Sequence, residues 1–299
     1  MINNTSNNTS NNNSSNNNTS NYNIIYNKTN NYNKIAVFDL DETLGYFEQL
    51  AIFWRVLDKL SNNTLTQTTF EKVLDLFDCF LRPFILNILK FVIDKRDLGE
   101  CDKIVLYTNN KGDESWVNLI CNYFNNKLNT NVFDEKIQAF KKDGKIFDTR
   151  RKSSEKTIND LIYCTKIPKD TIIYFLDDTY YVKVVESDEV FFYHCDPSYK
   201  YVLPFQDMAE RYYAFNYDRI NMDETKFIQI FLELTNSLDS NYDDTYYNEI
   251  KFYKAISKHI LFGLEKFFSM AWYHKRKGIK GNKKKTKKNF NKKKTVKKK

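Results

Sequence analysis

Three short apolar runs each stop on a small polar or acidic residue, and that pattern narrows the fold more than any other feature. Lys34-Ile35-Ala36-Val37-Phe38 ends in Asp39, Lys103-Ile104-Val105-Leu106-Tyr107 in Thr108, and Thr171-Ile172-Ile173-Tyr174-Phe175-Leu176 in Asp177-Asp178. Runs this short, apolar without alternation, suit strands buried on both faces, as in a parallel sheet. Glu189-Val190-Phe191-Phe192-Tyr193 reads as a fourth strand. Helical patterns lie between them. Phe47, Leu50, Trp54, Leu57 and Leu60 share one stripe, and Trp116, Val117, Ile120 and Phe124 another. Thr68 and Glu71 have the spacing of a capping box, and Pro83 is expected at the first position of a helix running to about Ile93. Strands alternating with helices predict an α/β fold with a mainly parallel sheet. Lys142-Asp143-Gly144-Lys145 predicts a hairpin turn, because Asp-Gly accepts positive φ. Residues 227–234 and 247–272 read as helices appended to the sheet.

Composition bounds the rest. Of 299 residues, 41% are hydrophobic, with 24 Phe and 21 Tyr, so whole-chain disorder is excluded. The aromatic residues are spread along the chain, which suits a core better than a stacking platform. The net charge of +8 conceals two bodies of opposite sign: 15 Lys and Arg with no acid fall between Lys275 and Lys299, leaving 31 basic against 38 acidic residues, or −7, over 1–274. A segment so charged cannot bury apolar surface and is expected to be a disordered tail. It suits nucleic acid, an anionic membrane, an acidic partner or a nuclear address, or serves only for solubility. At the other end, 18 of the first 20 residues are Asn, Ser or Thr, a second disordered tract with nothing to pack. The sequence shows no apolar signal peptide and no run able to span a bilayer. Cys79, Cys101, Cys121, Cys164 and Cys195 form no CxxC pair and read as free thiols in a reducing compartment, intracellular, with cytoplasm and nucleus both open.

In open α/β sheets the crevice lies beyond the carboxyl ends of the strands. If the runs are neighbours, Asp39, Asp41, Thr108, Asp177 and Asp178 converge there. Four carboxylates repel one another unless a cation sits among them, and an all-oxygen set without His or Cys favours Mg²⁺. Mg²⁺ binds few carboxylates and keeps room for a substrate phosphate, so a phosphoryl site is the natural expectation. In Asp39-Leu40-Asp41 the two acids can share one face of an extended segment. One carboxylate can then attack phosphorus while the other protonates the leaving oxygen and deprotonates the hydrolytic water. Thr108 can hold a phosphoryl oxygen, and a helix starting near Asp113 offers its N-terminal amides.

Asp39-Leu40-Asp41-Glu42-Thr43-Leu44 resembles the first signature of the haloacid dehalogenase superfamily, in the form typical of the FCP/SCP (NIF-like) phosphatases that act on the RNA polymerase C-terminal domain. Leu81-Arg82-Pro83 with Leu86 and Leu89 looks like the Arg-Pro segment of that branch. Residues 104–108 resemble its second motif and 175–178 its fourth, so the resemblance covers about residues 34–213. It implies a Rossmann-like parallel sheet flanked by helices, with a nucleophile at Asp39, a general acid/base at Asp41, phosphate binding by Thr108 and charge neutralisation by Lys156. It also implies a Mg²⁺ held by Asp39, the Asp41 backbone carbonyl and one or both of Asp177 and Asp178. Arg151, Lys152 and Lys156 all fall near the place of the cation; Lys156 is preferred because Ser153 or Ser154 could cap a helix over 156–164, and Lys152 remains the alternative.

The chain is thus divided into a disordered tract 1–33, a phosphatase domain 34–222 with a cap-like helical insert at 45–102, appended helices 223–274 and the basic tail 275–299. The insert, read as three helices, and the long stretch from Lys156 to Asp177 depart from the family and leave the substrate open. It is expected to be phosphoserine or phosphothreonine in a protein, with a small phosphate ester or a nucleic-acid end as the alternative; a non-catalytic phospho-binding module is a third reading. Arg82 is taken as structural, and His194 as a core or edge histidine rather than a ligand.

Overall fold

In the computed structural model, residues 33–112, 114–238 and 249–269 are described. All of these residues belong to one compact unit. Expectations for the Asn-rich tract before residue 33, for Asp113, for a helix beyond residue 269 and for the basic tail lie outside the described residues.

The central strand, β1 (Lys34–Phe38), buries its last four residues completely, as a strand covered on both faces must. Its side chains alternate between two cores. Ala36 and Phe38 join the larger core, and Ile35 and Val37 the smaller one on the opposite face. Between β1 and β2 (Lys103–Tyr107) the chain forms α1 (Phe47–Leu60), α2 (Gln67–Leu76), a 3-10 turn (Asp78–Phe80) and α3 (Ile85–Asp97). Then come α4 (Glu114–Leu128), β3 (Glu135–Ile137), the short pair β4 (Lys141–Lys142) and β5 (Lys145–Ile146), α5 (Ile158–Thr165), β6 (Ile172–Asp177), α6 (Val182–Val185) and β7 (Val190–His194). Helices α7 (Phe205–Asn216), α8 (Glu224–Asn236) and α9 (Ile250–Phe268) follow.

The main sheet has the order β3-β2-β1-β6-β7, and every pairing in it is parallel. The chain builds outward from β1 through β2 to β3, then returns to the other side of β1 for β6 and β7. The direction therefore reverses at β1, and the crevice beyond the carboxyl end of β1 is where such a sheet accepts a ligand. The α/β fold expected from the sequence is the fold observed.

Several local expectations need correction. The cap of α2 is Thr66, whose hydroxyl oxygen accepts from the Thr69 N–H at 3.3 Å; Glu71 instead accepts from the Gln67 and Asn126 side-chain amides. Pro83 does not open α3: Phe84 takes a left-handed conformation (φ 62°) and the helix starts at Ile85. β3 and α7 were not anticipated. The Asp143-Gly144 turn is as expected, with φ of 48° and 77° joining β4 to β5.

Aromatic rings pack within the insert and between it and the rest of the domain. Trp54 meets Phe70 at 5.3 Å and Phe70 meets Trp116 of α4 at 5.5 Å, while Phe53 meets Phe231 of α8 at 5.1 Å. Helix α9 lies so close to β6 that a Cβ on Gly263 would sit 2.5 Å from Tyr174 Oη. The five cysteines are free, and among the described residues no helix is long and apolar enough to cross a membrane.

Candidate active site

Asp39 directly follows β1, and its N–H donates to the Leu176 carbonyl of β6 at 2.9 Å, extending the ladder by one step. Phe38 pairs with Leu176, so the next residues on each strand, Asp39 and Asp177, emerge side by side. One carboxylate oxygen from each of Asp39, Asp177 and Asp178 lies within 4.8 Å of the others. Lys156 spans two of them: its Nζ donates to Asp39 Oδ1 and, at 2.6 Å, to Asp177 Oδ2. Asp39, Asp177 and Lys156 are all buried. Asp178 is held at the rim, where its Oδ2 accepts from Ser198 Oγ at 2.8 Å and its N–H donates to Thr43 Oγ1 at 3.0 Å.

Lys156 does not reach the cluster from the first turn of a helix. Helix α5 begins at Ile158 and is capped by Thr157, whose hydroxyl oxygen accepts from the Asp160 N–H at 3.1 Å, so neither Ser153 nor Ser154 caps it. Lys156 is in the extended approach, pinned by the Thr157 N–H donating to Tyr107 Oη at 3.2 Å. The two rival cations are elsewhere. Lys152 is exposed, with Nζ 5.2 Å from the Tyr163 ring. Arg151 is buried, but its guanidinium donates to Asn109 Oδ1 at 2.7 Å and to the Gln138, Ser154 and Glu155 carbonyls, bracing the loop after β2.

Asp41 contributes no side-chain oxygen to the three-carboxylate group; its Oδ2 accepts from Asn110 Nδ2 at 2.8 Å. Thr108 is buried at the end of β2, and its Oγ1 accepts from the Asn110 N–H at 2.9 Å. Arg82, read as structural, is buried and pairs with no carboxylate among the described residues. It lies over the Tyr199 ring at 5.3 Å and donates to the Thr43 carbonyl and, at 2.7 Å, to the Glu42 carbonyl. His194 ends the edge strand, with Nε2 2.7 Å from the Asp178 carbonyl oxygen. Asn110, Thr43 and Ser198 were missed by the sequence reading.

The electrostatics follow from burial. Burial raises the Asp39 carboxyl, against the pull of Lys156. Burial, then the Asp39 charge, pushes Asp177 up to about 7. Asp41 is likewise raised to about 7 by burial and then by Asp39, with the Asn110 bond opposing. Burial disfavours the Lys156 ammonium, but Asp39 and Asp177 outweigh it and hold the amine protonated. Ionised, the three clustered carboxylates carry three negative charges and Lys156 returns one, which leaves a net charge of −2 that one divalent cation would offset. Carboxylate oxygens without imidazole or thiolate fit a hard ion such as Mg²⁺.

Next to Asp41 opens a cavity of about 660 Å³, walled by Tyr46, by α1 through Ala51 and Trp54 and by α4 through Trp116 and Leu119. No protein-family model, curated protein or solved structure matches this chain.

Proposed function

We propose that this protein is a divalent-cation-dependent phosphatase that works through a phosphoryl group carried on Asp39. The observation that carries the reading is the gathering of Asp39, Asp177 and Asp178 within 4.8 Å, spanned by Lys156, at the carboxyl end of the central strand. The motif resemblance of residues 39–44, 104–108 and 175–178 to the FCP/SCP branch of the haloacid dehalogenase superfamily supports it.

In this reading Asp39, Asp177 and Asp178 would hold Mg²⁺, with the Asp41 carbonyl as a further oxygen, and the ion supplies positive charge for the phosphoryl oxygens. The Asp39 carboxylate bonds to phosphorus as the ester P–O bond breaks. The leaving oxygen keeps that electron pair and takes a proton from Asp41. Asp41, now ionised, takes a proton from the water that displaces Asp39 from phosphorus. Lys156 keeps the Asp39 oxygens oriented and offsets negative charge, and the Thr108 hydroxyl donates to a phosphoryl oxygen.

The favoured substrate is phosphoserine or phosphothreonine in a protein, such as a polymerase tail. The cavity beside Asp41, closed on one side by the insert, favours a second reading, a small phosphate ester or nucleic-acid end. The 15 cations of the tail suit an acidic or nucleic-acid partner. The test is hydrolysis of an aryl phosphate with Mg²⁺, followed by rates on phosphopeptides, nucleotides and end-phosphorylated oligonucleotides. Asp39→Asn is expected to remove all turnover while keeping the fold; wild-type rates in that variant would refute the assignment.

A further inference from the structure

The loop after β2 does more than end a strand. Within five residues it makes three polar contacts centred on Asn110, one through its backbone N–H and two through its side-chain amide. The Asn110 N–H donates to Thr108 Oγ1 at 2.9 Å, the Gly112 N–H donates to Asn110 Oδ1 at 2.7 Å, and Asn110 Nδ2 donates to Asp41 Oδ2 at 2.8 Å. The backbone donor from Gly112 decides which end of the amide faces Asp41. An amide oxygen must meet that N–H, so the NH₂ is turned to the carboxyl. The approach is close: a Cβ at Gly112 would stand 2.7 Å from Asn110 Oδ1, so an alanine there has to push the amide aside. The Asp41 carboxyl makes no other hydrogen bond among the described residues.

We propose that Asn110 is a positioning residue for Asp41, occupying Oδ2 so that Oδ1 is the oxygen presented to the leaving group. The inference rests on the phosphatase reading. An oxygen that accepts from an NH₂ group cannot also carry the transferable proton along that direction, so Oδ1–H is the bond that breaks when the leaving oxygen departs from phosphorus. The same oxygen later takes the proton of the attacking water. Asp41, Asn110 and Gly112 all line the cavity between α1 and α4, which places the leaving group on that side of the carboxyl. The same loop ties this acid to the phosphate end of the site, because Thr108 accepts the Asn110 N–H and its own hydroxyl proton is left for a phosphoryl oxygen.

A positioned acid matters in proportion to how badly the leaving group needs a proton. The experiment measures kcat and KM of the wild type, Asn110→Ala and Gly112→Ala on p-nitrophenyl phosphate, phenyl phosphate and an alkyl phosphate with Mg²⁺. Full general-acid catalysis contributes about 10²–10⁴-fold. Both variants should therefore lose at least about tenfold more kcat on the alkyl ester than on the nitrophenyl ester, with KM little changed. Gly112→Ala reaches the same result by displacing the amide rather than deleting it, which separates positioning from loss of the side chain. Equal losses across the series, in variants that melt like the wild type, overturn the role of Asn110 and leave the phosphatase reading standing. Absence of Asp39-dependent hydrolysis of any ester by the wild type overturns both.

Discussion

Replacing Lys156 by Met keeps an unbranched chain of similar length in its slot and removes only the charge and its hydrogen bonds. In the folded protein Lys156 is 1% exposed and its ammonium joins Asp39 and Asp177, themselves buried. Breaking a buried pair by removing one partner costs about 3–5 kcal/mol, because the other charge is left without compensation. Here two carboxylates are left, which points to the upper end. At about 2–4 °C per kcal/mol for a domain of this size, the melting temperature should fall by about 6–20 °C in EDTA. The pH dependence has a definite sign. A carboxyl raised in the folded state, as Asp177 is to about 7, binds its proton more tightly folded than unfolded. Its burial therefore costs little below its unfolded value, near 4, and progressively more as pH rises toward 7. Without the ammonium that penalty grows, so the deficit of Lys156→Met should be larger at pH 8 than at pH 5. Saturating Mg²⁺ should restore part of it by binding the folded state. Thermal unfolding of both proteins at the two pH values, with and without Mg²⁺, is the assay. A variant that melts within about 2 °C of the wild type at pH 8 in EDTA would refute the view that Lys156 holds these carboxylates together.

Gly45→Ala should destabilise by about 1–3 kcal/mol through overpacking, because the new Cβ would lie 2.6 Å from both the Phe80 carbonyl oxygen and the Phe47 ring; an unchanged denaturation midpoint would contradict this. Asp148 is pushed up by burial, but the Arg150 guanidinium and the Arg150 and Gln138 N–H groups outweigh that and hold it below the ordinary carboxylate value. Its contribution is therefore present above its unfolded value and lost as pH falls through the lower folded one. Asp148→Asn should cost about 1 kcal/mol at pH 7, modest because Arg150 is 40% exposed, and the gap from wild type should close in acid. A gap that persists unchanged at pH 3 would show the carboxylate charge to be irrelevant.

The strands that build the site were readable because burial on both faces leaves no alternation to blur them, and because each ends on a residue of different chemistry. β3 was not readable: Glu135-Lys136-Ile137 is short and charged, and exists because β2 offers it a ladder. The start of α3 was misplaced for a backbone reason, since Phe84 adopts the left-handed conformation that sequence rules reserve for glycine or asparagine. The meeting of Asp39, Asp177 and Asp178 could be anticipated from acids that end strands read as neighbours, although Asp41, expected with them, adds no side-chain oxygen; the choice among Arg151, Lys152 and Lys156 could not be anticipated. Three cations within six residues differ only in what the fold brings to meet them: carbonyls for Arg151, an exposed ring for Lys152, carboxylates for Lys156. Asn110 was invisible for the same reason, because its partner lies 69 residues earlier and meets it only through the pairing of β1 with β2.

The central claim is that phosphorus becomes bonded to Asp39. Borohydride reduces an acyl phosphate to an alcohol, so protein quenched with borohydride during turnover of an aryl phosphate with Mg²⁺ should contain homoserine in place of Asp39, found by mass spectrometry of the peptide covering β1. Wild-type protein that turns over the ester yet returns that peptide unmodified, or modified at Asp41 instead, would contradict the account.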